Sequence, residues 1–348
     1  MDAREQILKK QHARDFCLPQ IEIWCRGEST DLKGWTDKMQ PCNSYIVFEK
    51  TADMVNCYVD DQGIEWIKTE LRRLVEEDKD FISKVLEKYY GIYGKIKNVW
   101  ESEVALDYEG LVSFMKIYHE GWSTYEGVYF LGEILPQDHK DFNLIQEALV
   151  FTDKSGDKSD KLMRNSLKKC FPELGELSSF LLMDEIYTKK IPSLDELKKR
   201  AGGYFYTNNK LYVDKTKEEM QELLSLRFED NANLAVQHFR GRVAYAGKAR
   251  GNVRRIINCK NAIPLIKGEI IVTSMTTPDF LPLIKEASAI ITDEGGITCH
   301  AAIISREFKI PCIIGTRIAT SLLKDNDLID VDAVAGKITL IRRQYTNI

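Results

Sequence analysis

The sequence predicts an α+β protein: a mainly helical N-terminal region followed by a C-terminal domain in which short strands alternate with short helices. Three observations carry this. From Gly63 onward, apolar residues recur at three- and four-residue spacing over long stretches, the mark of amphipathic helices. From about Gly241 the texture changes to brief β-rich runs, GNVRRII, GEIIVTS, AIITD, IPCIIG and ITLI, with helical pieces such as PDFLPLIKEAS and CHAAIISREF between them. The chain has 348 residues, enough for two or three domains with separate cores.

Residues 1–62 read as a mixed, strand-containing segment. SYIVFEK and MVNCYVDD are β-like runs parted by a short polar turn. Residues 63–240 read as a helical domain and linker. IEWIKTELRRLVEE, FISKVLEKYYGIYGKIKNVW and YEGLVSFMKIYHEGWSTYEGVYFLGEIL are its long helices, and Pro136 closes that block. FNLIQEALVF continues helically, and TDKSGDKSDK reads as a polar loop. DKLMRNSLKKCF, LGELSSFLLMDEIYTKK and SLDELKKRA predict three short helices. Ser193 is placed to cap the last, with Glu196 completing a capping box. YFYTNNKLYVD predicts a hairpin turning at Asn208-Asn209. KTKEEMQELLSLRFEDNANLAVQHF predicts a helix leading into the C-terminal domain, residues 241–348. Tyr89, Tyr90, Tyr93, Trp100, Tyr118, Trp122, Tyr125 and Tyr129 lie at helical spacing and fit a core better than a pocket for an organic acceptor.

Composition narrows the function classes. A net charge of -4 and a pI of about 5.9 argue against a general nucleic-acid binder. No apolar run approaches the roughly 20 residues of a membrane span, and the charged start MDAREQILKKQHARDF lacks a signal-peptide core. The eight cysteines are scattered singles with no CxxC pair, so Cys17, Cys25, Cys42 and Cys57 signal neither a zinc site nor a disulfide framework. The expected setting is the cytoplasm, with no nucleic-acid or membrane partner and no metal held by this chain.

The stretch AIITDEGGITCHAAIISREFKIPCIIGT concentrates the chemistry. An apolar strand runs into Asp293-Glu294-Gly295-Gly296, where the glycines permit positive φ and close approach of a ligand to the backbone. Thr298 is the predicted N-cap, with Cys299 and His300 at the first two helical positions. Unpaired N–H groups and the helix dipole favour a phosphate there. The same field disfavours imidazolium, which keeps His300 neutral and nucleophilic near neutral pH. Ala301 and Ala302 are small enough for a partner domain to approach, and Ile304 lies one turn along the His300 face. Arg306, six positions on, points away from His300 on an ideal helix, and an ion pair holding the helix fits it as well as a phosphate contact does.

GGITCHAAIISR resembles the phosphohistidine motif of the phosphoenolpyruvate-utilising enzymes, a family that includes phosphoenolpyruvate synthase, pyruvate phosphate dikinase, rifampin phosphotransferase and enzyme I of the sugar phosphotransferase system. Gly295, Gly296, Thr298, His300, Ala301, Ala302, Ile303, Ile304, Ser305 and Arg306 meet each of its positions. GEIIVTSMTTPDFLPLIKEASAIIT and IPCIIGT look like the synthase's flanks, and GRVAYAGKARGNVRRII looks like the entry to the same domain. The resemblance covers about Gly241 to Ile341 and is closest to the synthase and rifampin-type branch. It implies a swivelling β/β/α domain in which His300 is phosphorylated at Nε2, with Gly295, Gly296, Thr298, Cys299 and Arg306 as phosphate-binding residues. The synthase-like Thr-Asp-Pro-Asp stands here as Thr276-Thr277-Pro278-Asp279, one acid fewer, and the usual Gly-Asp near the end is Asn326-Asp327.

The first 230 residues show no glycine-rich phosphate loop with its lysine, and no phosphoenolpyruvate-binding barrel follows the domain. The resemblance therefore implies a separate ATP-grasp nucleotide-binding protein as phosphoryl donor, Mg2+ held with the nucleotide on that partner, and a small-molecule phosphoryl acceptor. The reading is the phosphohistidine-carrying component of a dikinase-like phosphotransferase. The alternatives are a regulatory phosphocarrier or binding module without its own activity, and a structural remnant; the intact His300 and glycines speak against the last.

Overall fold

The computed structural model describes residues 6–30, 46–51, 54–152, 155–229, 238–257, 259, 263–296 and 299–343. The chain is α+β and divides into two units, Met1–Lys9 with Arg14–Phe228, and Lys10–Ala13 with Glu229–Ile348.

The first unit runs β1 (Gln6–Arg14), α1 (Leu18–Thr30), β2 (Ile46–Lys50), β3 (Val55–Asp60), α2 (Asp61–Glu77), α3 (Phe81–Trp100), α4 (Tyr108–Ile134), α5 (Phe142–Phe151), α6 (Ser155–Cys170), α7 (Met183–Thr188), α8 (Leu194–Gly202), β4 (Tyr204–Thr207), β5 (Lys210–Val213), α9 (Lys217–Leu224) and β6 (Leu226–Glu229). The six strands form one sheet in the order β5-β4-β2-β3-β1-β6, so strands from both sides of residue 62 share it. The helix starts are chemically marked. Asp60 and Asp107 accept from Gln62 N and Gly110 N at 2.8 Å each, satisfying donors that a helix leaves unpaired. Ser193 caps α8 as expected, accepting from Glu196 N at 3.2 Å, while Glu196 receives Arg200 Nε at 3.2 Å. A capping box closes instead at Thr216 and Glu219, on α9.

Most aromatic residues of α3 and α4 are core, while Tyr90 and Tyr129 are exposed. Tyr89, Tyr93, Trp100, Tyr118 and Trp122 are buried, and the Tyr89 and Tyr93 rings stack at 4.9 Å. The Tyr89 hydroxyl reaches Ala148 O at 2.9 Å, and Tyr118 OH accepts from Gln20 Nε2 at 3.0 Å.

Two expectations are corrected. TDKSGDKSDK is not all loop, because α6 begins at Ser155. Ser155, Ser159 and Asp160 face inward while Asp157 and Lys158 are exposed, and Asp160 accepts from Cys17 N and Arg164 Nε at 2.6 Å each. Polarity here reflects internal pairing rather than solvent. The helix predicted from Lys215 to Phe239 stops at Leu224, where Ser225 takes φ 54°. Leu226–Glu229 then alternates buried and exposed as a strand. His238–Arg240 is also a strand, and residues 230–237 of that predicted helix lie outside the described residues.

The second unit contains β7 (His238–Arg240), β8 (Arg242–Tyr245), β9 (Lys248–Arg255), β10 (Ile270–Thr273), α10 (Leu281–Ile284), β11 (Ala289–Thr292), α11 (His300–Phe308), β12 (Cys312–Ile314), α12 (Ala319–Leu322), β13 (Leu328–Asp332) and β14 (Lys337–Arg342). Its sheet order is β7-β14-β13-β9-β10-β11-β12-β8. The two outer strands are consecutive in sequence, so both ends of the sheet meet at Gly241. A Cβ there would lie 2.6 Å from Ile313 Cγ2 and 2.7 Å from Ile314 O, so only glycine fits the closure.

Strands β9, β10, β11 and β12 run parallel, and β10, β11 and β12 are buried throughout. Alternate residues enter opposite layers. Ile270, Val272 and Ile291 pack with Ala319 and Leu322 of α12. Ile271, Ile290 and Cys312 pack with Ala301, Ala302 and Ile304 of α11.

Candidate functional site

The carboxyl ends of parallel strands are where an open α/β sheet places ligands. Backbone pairing here outlasts the strands. Asp293 N donates to Thr273 O at 3.1 Å and Glu294 N to Ser274 O at 2.9 Å. Thr316 N and Arg317 N donate to Thr292 O and Asp293 O, each at 3.0 Å. The loops after β10, β11 and β12 are thereby held side by side.

The middle loop carries the histidine. Gly295 has φ 114°, and a Cβ on it would lie 2.7 Å from Cys299 Sγ. Both facts require glycine. Gly296 O accepts from Cys299 N at 3.0 Å and closes the turn, and both glycines are exposed. Cys299 is extended, at φ -66° and ψ 162°, and is the N-cap; His300 is the first helical residue. The expected cap thus moves one position along, because Cys299 has not yet entered helical geometry. Thr298 lies outside the described residues.

His300 is half-buried, and its Nδ1 lies 2.9 Å from Thr276 Oγ1. Thr276 is buried in the loop after β10, where the Thr273 hydroxyl bonds Met275 O at 3.0 Å and folds the chain back. This partner was missed in the sequence. Thr276 stands 24 residues before His300, and only the parallel register of β10 against β11 brings them together. Thr277 occupies the expected N-cap position with Pro278 at the first helical position, on a 3-10 turn over Pro278–Phe280, but its side chain makes no cap bond.

The rest of α11 divides by face. Ala301 and Ala302 are buried in the unit's own interior, which corrects the expectation that they leave room for a partner. Ile304 packs in the same layer. Ile303 is 50% exposed and stands one turn from His300. Arg306 is exposed in the last turn, about 9 Å along the axis from His300 at 1.5 Å per residue, and the two are not brought together. Burial pushes the Cys312 thiol up to about 12, so it is inert beneath the helix.

Among the described residues, no group of three or more His, Cys, Asp or Glu side chains could hold a metal ion, and no helix is long and apolar enough to cross a membrane. Cys17, Cys25 and Cys57 are buried, and Cys42 lies outside the described residues.

Comparison with known proteins falls on this unit. Residues 265–336 match the family of the PEP-utilising enzyme, mobile domain. The chain is 44% identical over 124 residues to the "Probable phosphoenolpyruvate synthase" of Archaeoglobus fulgidus, covering 36% of this chain and 16% of that protein. It is 43% identical over 131 residues to the "Uncharacterized phosphotransferase YvkC" of Bacillus subtilis, covering 37% and 16%. It is 48% identical over 99 residues to the "Probable phosphoenolpyruvate synthase" of Methanothermobacter thermautotrophicus, covering 28% and 14%. The chain therefore spans less than a fifth of the length of each of these relatives. The segment that holds His300 and its glycine turn is thus similar to the mobile domain of the phosphoenolpyruvate-utilising enzymes.

Proposed function

We propose that His300 carries a phosphoryl group as part of a dikinase-like phosphotransferase. The observation that supports this most is the contact of Thr276 Oγ1 with His300 Nδ1 at the mouth of a glycine turn. In this reading Nδ1–H donates to the Thr276 hydroxyl, so the lone pair that attacks is that of Nε2. Nε2 attacks the phosphorus of the donor; the N–P bond forms, the P–O bond to the leaving group breaks, and the electron pair leaves on oxygen. Transfer to the acceptor reverses these roles, an acceptor oxygen displacing Nε2. The developing phosphate charge meets the backbone donors of Gly295 and Gly296 and the positive end of α11, while the Cys299 N–H is taken by Gly296 O. Arg306, further down the helix, is assigned to the donor's remaining phosphates.

A separate ATP-grasp protein is proposed as donor and a small molecule as acceptor, in the cytoplasm where nucleotide is available. Mg2+ belongs in this scheme with the nucleotide on the partner, and no residue of this chain is named as its ligand. The test is to incubate the full chain with labelled ATP or phosphoenolpyruvate, with and without the ATP-grasp partner. Acid-labile, base-stable label should appear only with the partner and vanish in His300→Ala. Label that persists in that variant would overturn the assignment, and efficient labelling of the chain alone from ATP would overturn the need for a partner. A chain that labels but passes phosphate to no small molecule would be the regulatory phosphocarrier instead.

A further inference from the structure

Strand β11 ends in a buried acid. Asp293 is 7% exposed and follows four fully buried residues, Ala289–Thr292. A carboxylate in such a place is costly unless it is hydrogen-bonded, and here it is. Thr316 Oγ1 donates to Oδ1 at 2.9 Å, and Thr320 N lies 3.2 Å from each carboxylate oxygen. The Thr320 hydroxyl also donates to Oδ2. The same Thr316 hydroxyl has Thr292 O at 3.1 Å as a second acceptor sharing its one proton, and its oxygen receives Ala319 N at 3.3 Å. The acid therefore fastens the start of α12 to the end of β11.

The other side of Asp293 leads to the histidine. Its own N–H and that of Glu294 bond the carbonyls of Thr273 and Ser274. Those residues begin the fold-back that delivers the Thr276 hydroxyl to His300 Nδ1. Hydrogen bonds, linked through the backbone of Asp293 and of Thr273–Thr276, thus join α12 to the imidazole across three loops. Fully satisfied polar networks of this kind rigidify what they connect. An aliphatic side chain at position 293 would keep the backbone bonds to Thr273 and Ser274 but lose the bonds to Thr316 and Thr320 that anchor the end of β11.

We infer that Asp293, with Thr316 and Thr320, is a positioning group for His300: its carboxylate fixes the end of β11, to whose backbone the loop that presents Thr276 is paired, and so sets which ring nitrogen carries the proton. Its importance for phosphoryl transfer rests on the reading of His300 given above, but its effect on the ring does not. The test is therefore made on the unphosphorylated full chain. Label histidine with 15N, assign the His300 ring by its loss in His300→Gln, and read both ring nitrogens by long-range proton–nitrogen spectra. The wild type should show protonation fixed at Nδ1. Asp293→Ala should shift the ratio of the two protonated forms toward that of free imidazole, and Thr320→Val should do so in smaller degree while Thr320→Ser restores it. Val331→Ala, which opens a hole in the same unit away from the network, should lower the melting temperature and leave the ring signals in place. Ring signals unmoved in both Asp293→Ala and Thr320→Val, or moved equally by Val331→Ala, would overturn the role. If Asp293→Ala does not fold, the Thr320 pair decides the question. Labelling of Asp293→Ala by the partner should fall roughly tenfold to a hundredfold, the scale of a small misplacement. Loss of labelling in the wild type with the ring shifts intact would instead count against the phosphoryl-carrier reading alone.

Discussion

The two units build their interiors from different materials. The first buries tyrosines together with charged groups. Glu22 is 2% exposed and accepts from Arg26 Nη2 at 3.0 Å, Tyr206 OH at 3.1 Å and Met183 N at 2.5 Å, the last two from residues far along the chain. Arg200 grips Glu185 with two bonds of 2.8 Å. The second unit fills the space around its parallel strands with isoleucine, valine and alanine, and keeps its polar groups at the strand ends. The lesson concerns where replacement is tolerated. In the first unit polar side chains hold the core in register, so their loss is structural. In the second the aliphatic layers carry the stability, and the histidine loop stands on a platform that does not depend on it.

That contrast can be broken at graded cost. Glu22→Ala leaves the Arg26 guanidinium, the Tyr206 hydroxyl and Met183 N–H short of an acceptor. It should destabilise the first unit by about 3–5 kcal/mol, read by denaturant unfolding with hydrogen exchange reporting on each unit. A loss confined to the second unit would refute the contrast. Gly241→Ala forces a methyl against Ile313 and Ile314 O and should cost the second unit about 1–3 kcal/mol. An unchanged midpoint would mean that the sheet does not close there. Ser193→Ala removes one cap bond and should cost about 1 kcal/mol, visible as faster exchange at the start of α8.

The smallest effect is one of pH. Burial raises the Asp293 carboxyl above the usual carboxylate range, against the Thr320 and Thr316 bonds that lower it. Between the ordinary value and the raised one, the folded chain keeps a proton that the unfolded chain has lost. The stability contributed by this group is thus complete below the ordinary carboxylate range and declines as pH rises through the raised value. Asp293→Asn should flatten that part of the melting-temperature curve. A curve of the same shape in the variant would assign the slope to other groups.

The same contrast explains what could be read from the sequence. Helices α2, α3 and α4 announce themselves through local spacing, as does the hairpin whose turn residues Asn208 and Asn209 take φ 49° and 58°. The histidine turn is likewise local: Gly295, Gly296 and His300 are neighbours in sequence. Strand β1 was illegible because QILKKQHAR buries only Leu8 and Ala13, too few positions for a pattern. The start of α6 read as loop because its serines and Asp160 are polar yet internal. Thr276 was legible as a flank but not as a partner, since its place beside His300 follows from strand register rather than spacing.

The central claim is that one imidazole carries the phosphate. The direct measurement is to load the full chain with the proposed ATP-grasp protein, digest it at neutral or alkaline pH, and locate the phosphate by fragmentation that preserves N–P bonds. The account predicts the phosphate on His300, in the peptide that contains the glycine turn. Phosphate on Thr298, Ser305 or any residue outside that peptide would contradict it.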